Sequence, residues 1–179
     1  MFNRNRKAML ADKLKHIKLL LLDVDGVLTD GSIIYNDNNV ETKVFNVKDG
    51  LGIRLLIEAG IQVCIVTGRS SKALYNRCKN LGIVHIFDGV SDKAAILDSV
   101  QKQTGVSAGE IAFIGDDLPD LSLMRLTGIS ISVADAHKTV LKKADMVTSS
   151  KGGMGAVREV CEAILMAQGL WDEIMERFK

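Results

Sequence analysis

Four leucines run straight into two acids: Leu19-Leu20-Leu21-Leu22-Asp23-Val24-Asp25-Gly26-Val27. A short apolar run of this kind reads as a strand covered on both faces, the setting of a parallel sheet. Side chains alternate along a strand with period two, so Asp23 and Asp25 leave its end on the same side. Two carboxylates cannot both stay ionised in a dry interior without a cation or a shared proton. A divalent metal meets that requirement, and hard carboxylate oxygens suit magnesium. Gly26 removes a side chain where a ligand or another backbone comes close. An EF-hand loop is excluded, because its fifth and sixth positions need an oxygen ligand and a glycine and here hold Val27 and Leu28.

The chain has 179 residues, enough for one domain, 1–179, with a full core. Its 47% hydrophobic and 25% charged content is that of a soluble globular protein. A net charge of +1 with interspersed signs gives no reason to expect nucleic acid or membrane as a partner. The cations Arg4, Arg6, Lys7, Lys13, Lys15 and Lys18 precede an apolar run that ends at Asp23, too short for a membrane span and without a signal cleavage site. Cytoplasm is the expected location. Cys64, Cys78 and Cys161 read as reduced, buried thiols, and His16, His85 and His137 show no metal-ligand spacing.

In order, the pattern predicts a helix over 4–15, the 19–22 strand and a hairpin over 32–47 around Asn36-Asp37-Asn38-Asn39. Helix 50–59 closes at Gly60, and strand 61–66 ends in Thr67-Gly68-Arg69. Helix 71–80, strand 84–87 and a helix over 93–103 capped by Ser91-Asp92 follow. Strand 111–114 ends in Gly115-Asp116-Asp117-Leu118-Pro119-Asp120. Strand 129–133, helix 137–143 and strand 146–147 continue the alternation, then a flexible glycine-rich loop over 151–155 and helices over 156–168 and 170–178. Strands alternating with helices predict an α/β fold, a doubly wound parallel sheet with a projecting β-hairpin. Ligands in such folds bind beyond the carboxyl ends of the strands, at the switch point. Asp23 and Asp25, Thr67 to Arg69, Lys93, and Asp116 and Asp117 all fall at that edge. A dinucleotide loop at Gly50-Leu51-Gly52 fails because Leu55 stands where the third glycine belongs, and no P-loop string occurs.

The succession Asp23-x-Asp25, Thr67, Lys93, Gly115-Asp116-Asp117 with Asp120 resembles the four motifs of the haloacid dehalogenase superfamily of phosphotransferases. That resemblance implies that Asp23 is the nucleophile and Asp25 the general acid–base. Magnesium would be held by Asp23, the main-chain carbonyl of Asp25 and Asp116, with Thr67 and Lys93 on the phosphoryl oxygens. Asp117 and Asp120 would orient these groups. Only the hairpin follows Asp25 and only a short strand precedes Lys93, so no cap domain is expected.

Longer stretches extend the resemblance over most of the chain: Asp23–Gly31, Phe45–Arg54, Val133-Ala134-Asp135-Ala136-His137 and Gly152–Cys161. These are similar to the capless family of 3-deoxy-D-manno-octulosonate 8-phosphate phosphatases, which serve lipopolysaccharide synthesis. The resemblance implies a small phosphorylated sugar acid as substrate, bound with the help of Asn46, Val47, Lys48, Asp49, Gly50, Arg54, Arg69, Arg77 and Lys93. It also implies a homotetramer whose lid is supplied in trans. Phosphatases of nine-carbon sialic-type sugar acids share these motifs. A protein phosphatase or a non-catalytic binding module are the readings from other classes.

Overall fold

The computed structural model describes residues 2–179, with side chains from Ala8 onward; the side chains of Arg4, Arg6 and Lys7 lie outside the described residues. Helix α1 (Phe2–Lys15) leads into β1 (Leu19–Leu22), followed by β2 (Ile34–Tyr35) and β3 (Glu41–Thr42). Next come α2 (Val47–Glu58), β4 (Gln62–Val66), α3 (Lys72–Leu81), β5 (His85–Phe87) and α4 (Leu97–Thr104). The chain then runs through β6 (Ile111–Gly115), α5 (Leu121–Met124), β7 (Ile129–Ser132), α6 (Lys138–Lys143) and β8 (Met146–Val147). It ends with α7 (Ala156–Ala167) and α8 (Trp171–Glu176).

The main sheet has six parallel strands in the order β5-β4-β1-β6-β7-β8. All four leucines of β1 are fully buried, and since neighbours point to opposite faces, both faces of the sheet are covered. The chain winds outward from β1 to β4 and β5, then returns to the other side of β1 with β6. That reversal makes the carboxyl end of β1 the switch point. The doubly wound sheet and projecting hairpin are those expected from sequence.

Several boundaries differ, each for a local reason. Helix α2 begins at Val47, earlier than expected, because the Asn46 side chain caps it by accepting the Lys48 N–H at 2.8 Å. Helix α4 begins at Leu97, not at 93. The Asp92 carboxylate accepts the Ala94 N–H at 3.0 Å, so 93–96 form a turn that points Lys93 into the protein. The hairpin is paired over only Ile34↔Thr42 and Tyr35↔Glu41, and the Asn36 side chain organises its tip by accepting from Asn38 and Val40.

The 151–155 loop is not a free linker. Gly153 N–H donates to Val27 O at 2.9 Å, and a Cβ on Gly152 would stand 1.7 Å from Gly26 O. The loop therefore threads against the tight coil after β1, in which Val24 O accepts from Val27, Leu28 and Thr29. Cys64, Cys78 and Cys161 are free and buried, and burial pushes the Cys64 thiol up to about 12 and Cys78 to about 11.

Asp49, expected to bind substrate, instead ties α2 to α7. It is 1% exposed, and its carboxylate accepts the Arg158 N–H at 2.8 Å and the Gly155 N–H at 3.3 Å. Gly155 provides no side chain to cap α7, so a residue from another helix does so. Gly52 lies at the crossing of the two helices, where a Cβ would meet Arg158 Cδ at 3.0 Å. Replacing Asp49 with Ala leaves those buried donors unpaired, and should lower the unfolding free energy by about 1–3 kcal/mol. The readout is a lower urea midpoint at unchanged slope; an unchanged midpoint would contradict the clip.

Candidate active site

Three adjacent strands end together at the switch point, since Leu22 of β1 is in register with Ile65 of β4 and Ile114 of β6. The residues just past those ends are fixed through their backbones. Asp23 N–H donates to Ile114 O at 3.1 Å, Thr67 N–H to Phe87 O at 2.9 Å, and Asp116 O accepts from His137 N–H at 2.7 Å. A cavity of about 380 Å³ opens there, lined by Asp23, Asp25, Thr67, Arg69, Lys93 and Asp116 among others. The sheet thus brings together all four residues expected to carry the chemistry.

Lys93 is the charge that binds this edge. Its ammonium lies 2.8 Å from Asp23 Oδ2 and 2.5 Å from Asp120 Oδ1, above the Phe113 ring. Burial pulls Lys93 down, but the Asp23 and Asp120 carboxylates outweigh it and hold the ammonium above its ordinary range. Burial first, and Asp120 second, push Asp23 up to about 6, with Lys93 acting the other way. Asp23 Oδ1 also accepts the Val24 N–H at 2.7 Å, so both of its oxygens are oriented. Burial, then Asp23, Asp120 and Asp117, push Asp116 up to about 7.

Carboxylate oxygens of Asp23, Asp116 and Asp120 lie within 4.8 Å of one another, a hard-oxygen set that fits a magnesium ion. Their commitments differ. Asp120 spends one oxygen on Lys93 and the other on the N–H groups of Asp116 (2.8 Å) and Asp117 (3.1 Å). It positions the β6 turn rather than offering a free ligand. Asp116 has no hydrogen-bond partner for its carboxylate among the described residues, and its Oδ2 lies against Gly26. A Cβ on Gly26 would come 2.2 Å from that oxygen, and its φ of +88° independently favours glycine. A cation here would be held by Asp23 and Asp116, relieving the repulsion that raises both. Asp117 caps the following turn by accepting the Leu118 N–H at 2.8 Å.

The Asp25 side chain lines the same cavity but takes its partners from the hairpin and the β4 loop. Lys43 Nζ is 2.5 Å from Asp25 Oδ1 and 3.0 Å from Glu41 Oε1. Arg69 Nη2 reaches Glu41 Oε2 at 2.6 Å and Tyr35 Oη at 2.8 Å, and its Nε is 3.7 Å from Asp25 Oδ2. Arg69 and then Lys43 hold the Glu41 carboxyl below its ordinary range. Sequence reasoning missed Tyr35, Glu41 and Lys43. The spacing of Glu41 and Lys43 on one side of an extended segment was the available signal.

The remaining expected substrate contacts fall outside this cavity. Val47, Lys48 and Arg54 are exposed, and Asn46 spends its amide on Gly153 O at 3.1 Å. Arg77 donates to Asn46 O at 3.0 Å and lies over the Phe45 ring. It fills the space above Gly50, where a Cβ would meet its Nη2 at 2.2 Å. Asn46, Gly50 and Arg77 therefore build the α2–α3 junction and Asp49 the α2–α7 one, and none of them lines the cavity around Asp23.

A parallel sheet whose switch point presents Asp23, Thr67, Lys93 and Asp116 defines a phosphotransferase-type hydrolase. Residues 79–160 match the family model described as haloacid dehalogenase-like hydrolase. A 3-deoxy-D-manno-octulosonate 8-phosphate phosphatase from Salmonella typhi is 47% identical over 161 residues, 90% of this chain and 86% of that one. The enzyme of that name from Moraxella catarrhalis, solved with magnesium, phosphate and KDO, superposes with a TM-score of 0.93 at 47% identity, covering 96% of this chain and 98% of that one. The cobalt-bound Haemophilus influenzae enzyme gives 0.88 at 44% identity, over 93% and 99%. The chain belongs to the 3-deoxy-D-manno-octulosonate 8-phosphate phosphatase family.

Asp23 and Asp116 both gain proton affinity on folding, so the cation-free protein loses stability as pH rises through the window from the ordinary carboxylate range to about 7. Magnesium replaces those protons, and its stabilising effect should grow with pH. The rise in Tm on adding saturating magnesium should be clearly larger near pH 8 than near pH 5.5. Equal increments at both would contradict the assignment of these two carboxylates to the cation.

Proposed function

We propose that the chain is a magnesium-dependent phosphatase that hydrolyses 3-deoxy-D-manno-octulosonate 8-phosphate to the free sugar acid and phosphate, supplying lipopolysaccharide precursor synthesis. One observation carries the reading. The Asp23–Lys93–Asp120 charge cluster, with Asp116 free beside it, stands at the switch point of a family member.

In this reading a phosphate monoester enters the cavity with its phosphoryl oxygens toward Thr67 and Lys93. Asp23, with Oδ1 held by Val24 N–H and Oδ2 by Lys93, attacks phosphorus and forms an aspartyl-phosphate as the bond to the sugar oxygen breaks. Asp25 gives that oxygen its proton, then takes one from the water that attacks phosphorus and releases Asp23. Asp23, Asp116 and the Asp25 main-chain carbonyl would hold magnesium, which would supply positive charge against the charge developing on the phosphoryl oxygens. Lys93 does the same from the opposite side. Arg69 is the group that meets the substrate's carboxylate, because its guanidinium already accommodates one in Glu41.

The same reading includes a homotetramer with a lid supplied in trans. The two-stranded hairpin leaves Ile33, Ile34, Tyr35 and Val44 exposed, a patch an isolated hairpin does not stabilise. Asn46, Val47, Lys48, Arg54 and Arg77 lie outside this subunit's cavity and reach a substrate only across such an interface; Asp49 and Gly50 shape that surface from beneath. A cytoplasmic location fits the three reduced, buried thiols. Among the described residues no helix is long and apolar enough to cross a membrane.

An Asp23→Asn variant should fold and show no turnover, while Asp25→Asn should lose about 10²–10⁴-fold in kcat. Wild-type-like hydrolysis by a verified Asp23→Asn preparation would refute the mechanism. Replacing Arg69 with Lys should impair the sugar-acid phosphate far more than an aryl phosphate, because an ammonium cannot form the bidentate fork. Equal losses on the two substrates would assign Arg69 to the phosphoryl group or to the fold.

A further inference from the structure

Lys43 is absent from the motifs that led to the site, yet its side chain is only 2% exposed. Burying an ammonium is costly unless it is paired, and this one is paired twice, to Asp25 Oδ1 at 2.5 Å and to Glu41 Oε1 at 3.0 Å. A residue needed merely to fasten the hairpin has no reason to reach Asp25, since Arg69 already fastens it through Glu41 and Tyr35. The consequence for Asp25 is an asymmetry between its two oxygens. Oδ1 is taken by Lys43, whereas Oδ2 is buried without a hydrogen-bond partner and has the Arg69 Nε 3.7 Å away.

We infer that Lys43 is a positioning residue for the acid–base carboxylate, holding Asp25 Oδ1 so that Oδ2 is the oxygen that gives and takes the proton. The inference rests on the phosphatase reading above and adds a residue to it. In the first step the Oδ2 proton passes to the sugar oxygen as the P–O bond to the sugar breaks and the bond to Asp23 forms. In the second, Oδ2 takes a proton from water as the water oxygen bonds to phosphorus and the Asp23–P bond breaks. Lys43 touches neither substrate nor phosphorus; it fixes which oxygen faces them. Because Lys43 directly follows β3 of the hairpin, the alignment of Asp25 depends on the hairpin being docked.

Leaving-group dependence tests this, because general acid help matters for a sugar alkoxide and hardly at all for 4-nitrophenolate. Single-turnover phosphoryl transfer to the enzyme is followed with 3-deoxy-D-manno-octulosonate 8-phosphate and with 4-nitrophenyl phosphate. The Lys43→Met variant should slow transfer from the sugar-acid phosphate about 10–100-fold while leaving transfer from the aryl phosphate within about threefold, a share of the usual acid–base contribution. Water attack on the aspartyl-phosphate still needs the Asp25 base, so the aryl phosphate should give a stoichiometric burst of nitrophenolate followed by slow turnover. Lys43→Arg, which restores a cation, should recover part of the sugar-phosphate rate. Should Lys43→Met fail to fold, Lys43→Gln takes its place with the same readout. Equal slowing of both transfers, or slowing of neither, overturns the role of Lys43. Failure of the wild-type chain to release phosphate from either ester would instead overturn the phosphatase reading itself, so the two failures are distinguishable.

Discussion

The active edge of this protein depends on one ammonium. Lys93 lies between Asp23 and Asp120, 6% exposed, in a place where three strand ends also bring Asp116. Without that cation, like charges at these separations in a poorly solvated pocket would repel one another strongly. Burial first and the neighbouring carboxylates second push Asp23 and Asp116 well above the ordinary carboxylate range. Lys93 offsets part of that repulsion on one side. The other side is open, with Asp116 unpaired and Gly26 cleared away, and a divalent cation completes the balance. Strain of this kind fits a site that binds its substrate's charge through groups already in place.

The arrangement also assigns different tasks to chemically identical groups by environment. Five aspartates line the edge, and four of them are set apart by what holds each. Asp23 is fixed at both oxygens and faces the cavity, while Asp120 has no oxygen left and stabilises the Asp116–Asp117 backbone. The Asp116 carboxylate has no hydrogen-bond partner among the described residues, and Asp25 pairs with the hairpin's Lys43 and is approached by Arg69. Arg69 bridges the two halves of the site, since it pairs with the hairpin through Glu41 and approaches Asp25 from the β4 loop. Asp25 and Arg69, the proposed acid–base and substrate-binding groups, therefore both pair with the hairpin, a segment outside the main sheet.

What could be read from the sequence follows the range of the physics involved. Leu19–Leu22 ending in Asp23 and Asp25 declared a buried parallel strand and a charged terminus, because burial and alternation are local to a few residues. Thr67, Lys93 and Asp116 could be placed at the same edge because strand ends in such a sheet converge. The start of α4 was misplaced, since the pattern around 93–103 is helical and only the tertiary pull on Lys93 explains the turn before Leu97. Asp49, which the resemblance places among the substrate contacts, caps α7 across 109 residues of sequence, a partnership no local pattern reveals. Lys43 escaped notice for the same reason: a hairpin lysine looks solvated until the fold lays it against Asp25.

In the proposed mechanism phosphoryl transfer passes through Asp23, with Lys93 as its fixed counter-charge and water attacking only in a second displacement. The stereochemical course at phosphorus tests it most directly, using a sugar-acid phosphate made chiral with oxygen isotopes and hydrolysed in isotopically labelled water. Two successive in-line displacements, onto Asp23 and then onto water, predict net retention of configuration. Net inversion would mean that water attacks the substrate directly, and would contradict the assignment of Asp23 as the nucleophile.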